Sequence, residues 1–198
     1  MNRNKFIILT GAANSGKSTL AQNIAETLSR DGFNVRFLRS PARDILTGPK
    51  SLKDLREKPR VYLRLQEKIF KAQLDQIFKA SKTNCTEPVV FIFDRFILDT
   101  YMYTDIYCRP SGLFRASLTK KKEALRRQIF DNAMFLADTL RPLFIHCAPI
   151  PVNQPSIFRP ENMQQSLEDY AIVKLLEILA DYYEDREQNM ISVDITNP

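Results

Sequence analysis

Residues Gly11-Ala12-Ala13-Asn14-Ser15-Gly16-Lys17-Ser18 set two glycines five positions apart, with a lysine and a serine directly after the second. Only glycine lets a backbone turn tightly enough to aim successive N–H groups at one anion, which assigns Gly11 and Gly16 to the turn. At this spacing Lys17 reaches the β- and γ-phosphates of a nucleoside triphosphate, and Ser18 ligates Mg²⁺. The flanks agree. Lys5-Phe6-Ile7-Ile8-Leu9-Thr10 is a short, nearly continuous apolar run, as in a strand buried on both faces of a parallel sheet. From Lys17 to Asp31, Leu20, Ile24, Ala25 and Leu28 recur at helical spacing, and Gly32 stands where a helix ends. The loop therefore joins a strand to a helix N-terminus, whose positive dipole end adds to the anion site. The chain has only 5 glycines, so two at the required spacing speak against coincidence. Residues Gly11, Ala12, Ala13, Asn14, Ser15, Gly16, Lys17, Ser18 and Thr19 are expected to hold the triphosphate, with Thr19 near the α-phosphate.

Four further segments read as strands: Asn34-Val35-Arg36-Phe37-Leu38, Val89-Val90-Phe91-Ile92-Phe93, Leu143-Phe144-Ile145-His146-Cys147 and Met190-Ile191-Ser192-Val193. Helical patterns lie at Arg60 to Lys82, Ile97 to Cys108, Ser117 to Leu140 and Asn162 to Arg186. Such alternation predicts an α/β domain with a parallel sheet between helices. Proline and glycine mark loops at Ser40 to Pro59, Arg109 to Lys122 and Ala148 to Glu161. Loops of this length in a compact domain often close over ligands.

The run Val89 to Phe93 ends in Asp94-Arg95, so two charges emerge at the carboxyl end of a core strand, the edge where open α/β sheets bind ligands. A carboxylate there can order Mg²⁺ or take a proton from an attacking hydroxyl. An arginine can stabilise charge on a transferring phosphoryl group. Asp99, on the following helix, is a weaker candidate for such a role and could simply be a surface acid.

With Asp94-Arg95-Phe96-Ile97-Leu98-Asp99-Thr100-Tyr101-Met102-Tyr103 in view, the chain resembles the thymidylate kinase and deoxynucleoside kinase group of P-loop enzymes. It is also similar to the small, AAA-like kinase domain of the ribosylnicotinamide kinase type. The resemblance implies a three-layer P-loop NTPase fold with a five-stranded parallel sheet ordered 2-3-1-4-5, and one kinase domain over residues 1–198. It makes Asp94 the catalytic acid and Arg95 the phosphate-binding arginine. Arg43 and Asp44, after the second strand, become substrate-contacting residues, and Gln66 a reader of the base, although a glutamine in a charged helix is usually just solvated. Tyr101 joins them as a substrate contact. A lid-like segment at about 148–162 brings Arg159 over the phosphates. The catalytic set is then Lys17, Asp94, Arg95 and Arg159, the metal ligands Ser18 and Asp94, and the cofactors ATP and Mg²⁺. The acceptor is expected to be a nucleoside or nucleoside monophosphate.

At 198 residues the chain suits one domain, and 44% apolar with 26% charged residues is an ordinary globular balance. No apolar run reaches the ~20 residues of a membrane span, and the N-terminal run is too short for a signal peptide, so a cytoplasmic location is expected. Cys85, Cys108 and Cys147 show neither disulfide nor zinc spacing. A net charge of +6 favours anionic partners. The Arg109 to Arg127 stretch, with Arg115, Lys120, Lys121, Lys122 and Arg126, makes a polynucleotide hydroxyl the rival acceptor. A second copy of the chain is a further expected partner. A regulatory ATPase is the alternative from another class; an Asn-Lys-x-Asp guanine-reading motif is absent from the sequence. His146, the only histidine, lies in an apolar strand and reads as a satisfied core residue. Tyr101, Tyr103 and Tyr107 could stack a base, although helix packing accounts for at least two of them.

Overall fold

The computed structural model describes residues 4–13, 15–46, 58–83, 86–109, 115–148, 162–182 and 190–193. In chain order these form β1 (Lys5–Thr10), α1 (Lys17–Arg30), β2 (Asn34–Leu38), α2 (Ala42–Ile45), α3 (Pro59–Ser81), β3 (Val89–Asp94), α4 (Ile97–Tyr107), α5 (Arg115–Leu140), β4 (Leu143–Cys147), α6 (Asn162–Tyr182) and β5 (Met190–Val193). The sheet is parallel, in the order β2-β3-β1-β4-β5. Strand β1 is central. Its register sets Leu9 against Asp94 of β3 and Thr10 against His146 of β4, which gathers the carboxyl ends of three strands at one edge.

Side chains alternate across the sheet with the period of two that a strand imposes. Phe6, Ile8, Phe91, Phe93 and Phe144 face one side, against Tyr62, Phe70, Met102, Ile129, Leu136 and Leu176 from α3, α4, α5 and α6. Leu9, Ile92 and Ile145 face the other, against Ala21, Ile24 and Leu28 of α1. The strands read as continuous apolar runs because both faces are covered. Phe6 and Phe91 stack at 5.6 Å, and the Phe96 ring meets Phe144 edge-on at 5.4 Å. Each such ring contributes about 1.5–3 kcal/mol by leaving water.

Two of the three loop expectations need correction. Within 40–59, Ala42–Ile45 forms a single helical turn, led by Pro41 in helical geometry. Within 109–122, the helix α5 begins at Arg115, so the loop expected to Lys122 gives way to the helix read from Ser117, which takes in Lys120, Lys121 and Lys122. The stretch 149–161 lies outside the described residues, and with it the expected lid and Arg159. None of the described helices is long and apolar enough to cross a membrane. Cys108 and Cys147 are buried free thiols, and Cys85 lies outside the described residues.

Candidate functional site

The phosphate loop leaves β1 at Gly11, whose φ is 143°. A Cβ at Gly11 would stand 2.3 Å from the Cys147 carbonyl oxygen, so the residue must be glycine for the loop to pass over the end of β4. Gly16, at φ 75°, turns the chain into α1. Asn14 lies outside the described residues. Lys17 is buried and folds back along the loop, donating to the Ala12 carbonyl and, at 2.9 Å, to Ser15 Oγ. Burial, followed by the nearby Arg95 charge, lowers its pKa to about 7; Asp99, Cys147 and Asp94 oppose the shift. Thr19 is exposed on the first turn of α1.

At the end of β3, Asp94 meets the loop. The Ser18 hydroxyl donates to Asp94 Oδ2 at 2.6 Å and accepts from the Arg43 guanidinium, which stands 3.7 Å from the same carboxylate oxygen. Arg43 arrives from the single turn α2, so the second-strand region does reach the site through this residue; the neighbouring Asp44 is exposed. Asp94 Oδ1 is buried and has no hydrogen-bond partner in the described structure. A hydroxyl beside a carboxylate with an unused buried oxygen is a hard-donor pair suited to Mg²⁺. No group of three or more His, Cys, Asp or Glu residues among the described residues could hold a metal alone. A cation at Ser18 and Asp94 would complete its shell with phosphate oxygens and water.

Arg95 follows with φ 95°, a left-handed geometry that costs a side-chain-bearing residue about 1–3 kcal/mol. Its N–H donates to the Leu9 carbonyl at 3.0 Å, which locks the turn. The guanidinium donates to Asp99 Oδ1 at 3.0 Å and to the Tyr103 hydroxyl at 3.2 Å. It also packs 5.3 Å from the Tyr103 ring centre. Although burial works against its charge, Tyr103, Asp99 and Asp94 outweigh that and hold Arg95 protonated well beyond the ordinary range.

Asp99 is not a surface acid. It is 1% exposed, and its Oδ2 accepts from Thr10 Oγ1 and from the Phe96 N–H, both at 3.0 Å. The second bond caps α4, so one carboxylate starts the helix and anchors Arg95. Burial raises its pKa, against the nearby Arg95 and Lys17 charges.

Tyr101 does not join the site. Its hydroxyl accepts from Arg126 of α5 at 2.6 Å, and its ring packs on Phe130. The cause is helical geometry: residues two apart point to nearly opposite sides, whereas residues four apart share a face. Tyr103 and Tyr107 hold the site side, with rings stacked at 6.0 Å. Gln66 is buried rather than solvated, on the stripe of α3 that also carries Tyr62 and Gln73. Gln73 ties that stripe to α4, accepting from Thr100 Oγ1 at 2.7 Å. His146 is buried, with Nε2 2.8 Å from Asp169, and so is satisfied as the sequence suggests. In the basic stretch, Lys122 and Arg126 pair with Asp105 at 3.2 and 3.3 Å, while Lys120, Lys121 and Arg127 are exposed.

One site residue escapes the sequence reading. Glu168 of α6 is 0% exposed, and its Oε2 accepts from the Ala13 N–H of the phosphate loop at 2.8 Å and from the Tyr103 hydroxyl at 3.3 Å. Its Oε1 accepts from the Tyr107 hydroxyl. The available signal was an acid on the apolar stripe that runs through Ile172, Leu175, Leu176 and Leu179.

No curated protein sequence matches the chain significantly. Among solved structures 206 chains match, so the fold is widespread and does not by itself select an activity. One of them, described as "Crystal structure of NadR protein in complex with NR", superposes with a TM-score of 0.61 at 16% identity. The superposition covers 96% of this chain and 44% of that one, so this chain spans less than half of its length. A sequence profile described as "AAA domain" matches residues 6–171. With its phosphate loop between β1 and α1, and an acid at the end of β3 bonded to the loop serine, the chain belongs to the AAA domain family of P-loop nucleotide-binding proteins.

Proposed function

We propose that the protein is a kinase that transfers the γ-phosphoryl group of Mg²⁺-bound ATP to a nucleoside or nucleoside monophosphate. The observation that carries this reading is the bond from Ser18 to Asp94, with Lys17 on the loop and Arg95 beside it. A carboxylate that touches the loop serine and keeps one oxygen free can serve both a metal and an incoming hydroxyl. Mg²⁺ held at Ser18 and Asp94 would neutralise charge on the phosphates. Asp94 orients the acceptor hydroxyl and receives its proton. Lys17 and Arg95 balance the negative charge that develops on the transferring group. Arg43 steadies the Ser18–Asp94 pair from the solvent side, and Arg159, outside the described residues, is the further arginine that this reading gives to the phosphates. Gln66, buried on α3, is assigned to the acceptor base.

Arg95 and Arg159 supplied in cis favour a kinase over a regulatory ATPase, which borrows an arginine from a partner. The polynucleotide acceptor has less support, because Lys122 and Arg126 are already engaged by Asp105.

The test is a transfer screen with labelled ATP against nucleosides, nucleoside monophosphates, NR, and single- and double-stranded polynucleotides. We expect label on one of the monomeric classes. Label on a polynucleotide alone, with binding that weakens steeply in salt, would replace the acceptor assignment. ATP hydrolysis with no acceptor labelled would remove the kinase reading.

Lys17 gives this reading a pH signature. With its pKa near 7 in the free protein, Lys17 is largely neutral at pH 8 to 9. A bound triphosphate favours the charged form, so binding must then draw in a proton. ATP affinity is therefore expected to fall as pH rises above about 7, by at most about tenfold per pH unit. Calorimetry in buffers of different ionisation enthalpy should show uptake approaching one proton per site, absent in Lys17→Met. Affinity flat from pH 6 to 9 would contradict it.

A further inference from the structure

We infer that Glu168 is a positioning residue for phosphoryl transfer, acting on Arg95 through Tyr103 and on the phosphate loop through Ala13; this rests on the kinase reading above. Three observations lead to it. Glu168 is a fully buried carboxylate whose described partners are two phenols and one backbone N–H. Burying an anion is costly unless its oxygens are satisfied, and here three donors converge on the two carboxylate oxygens, a set that a glutamine with its single acceptor oxygen would not match.

The bond directions also form one chain. Arg95 donates to the Tyr103 oxygen at 3.2 Å, and the Tyr103 proton is thereby left for Glu168 Oε2 at 3.3 Å. The same carboxylate oxygen takes the Ala13 N–H at 2.8 Å. A charge at one end of such a series polarises every bond in it. The guanidinium and the loop are thus referenced to a single carboxylate, although Arg95 comes from the end of β3 and Ala13 from the end of β1.

The third observation is the strain at Arg95. Arg95 is held at φ 95°, and its guanidinium is tied at two further points, to Asp99 and to Tyr103. Asp99 lies in the same turn, whereas the Tyr103 hydroxyl is directed by its bond to Glu168. Tyr107, on the same face of α4, fixes the second oxygen of Glu168 and keeps it from rotating away.

The test compares Glu168→Gln, Tyr103→Phe and the double variant in the full chain. Glutamine keeps the shape and can accept the Ala13 N–H, but removes the charge. In each variant kcat for transfer is expected to fall about tenfold while KM for ATP changes less than about threefold, with the double variant no worse than either single. Slow transfer to water, read as ATP hydrolysis, should fall in parallel. If wild type hydrolyses ATP but labels no acceptor, the kinase reading fails while the hydrolysis series still decides the role of Glu168. A third readout needs no turnover: the Arg95 Nε–H resonance should shift in both single variants. Wild-type kcat with only a lowered melting temperature, additive losses in the double variant, or an unmoved Arg95 resonance would each overturn the proposal.

Discussion

Replacing Asp94 by asparagine is expected to lower phosphoryl transfer by about a thousandfold or more while leaving the protein folded and able to bind ATP in the absence of Mg²⁺. Asparagine fits the same space and can still accept from Ser18 through its carbonyl, so the 2.6 Å contact can persist. What disappears is the charge at Oδ1, the oxygen with no partner in the described structure. A neutral amide neither attracts a divalent cation nor takes a proton from a hydroxyl. Stability should change little, because the only ion pair lost among the described residues, to the 61% exposed Arg43 side chain, is long and solvent-screened. Steady-state kinetics, metal titration and thermal melting of one protein separate these effects. Wild-type kcat in Asp94→Asn would end the assignment of Asp94, and a large loss of stability would make it a structural residue.

Gly11→Ala is expected to destroy nucleotide binding and to destabilise the fold as well. The added Cβ would fall 2.3 Å from the Cys147 carbonyl oxygen and 3.1 Å from Ser15 Oγ, and the first of these is backbone that cannot swing aside. The φ of 143° adds strain of its own. Together these should cost on the order of 3 kcal/mol or more, a fall in melting temperature of roughly 6 to 12 °C for a domain of this size. Gly32→Ala is the matched control: φ is 89°, but nothing lies within 4 Å of the new methyl. It should melt within about 1 to 4 °C of wild type and bind nucleotide normally. Equal losses in the two variants would mean that backbone strain, not the crossing over β4, sets the loop.

The residues that sequence reading identified lie close together along the chain. The loop Gly11 to Ser18 works through spacing alone, since successive N–H groups and a lysine two turns of backbone later are placed by covalent geometry. Asp94 and Arg95 were visible because an apolar run that ends in charge has to surface at the sheet edge. The side of the helix on which Tyr101 and Tyr103 fall was harder to read. Both are aromatic, and α4 is apolar nearly all round, with Ile97, Leu98, Met102 and Tyr107 buried, so no stripe marks which face meets the loop. Asp99 and Gln66 look like solvated residues in sequence, yet one caps a helix from inside and the other lies on a packed face.

By itself, then, the sequence determined that a strand would deliver a phosphate loop to a helix N-terminus, and that an acid and an arginine would stand at the end of another strand. Only the tertiary structure decided what those groups face. Ser18 meets Asp94 because the parallel register of β1 and β3 aligns Leu9 with Asp94, and Glu168 meets Ala13 because α6 packs across the carboxyl edge of the sheet. Local chemistry is written in spacing, whereas contacts between distant segments are selected by how the whole set of apolar faces is buried at once.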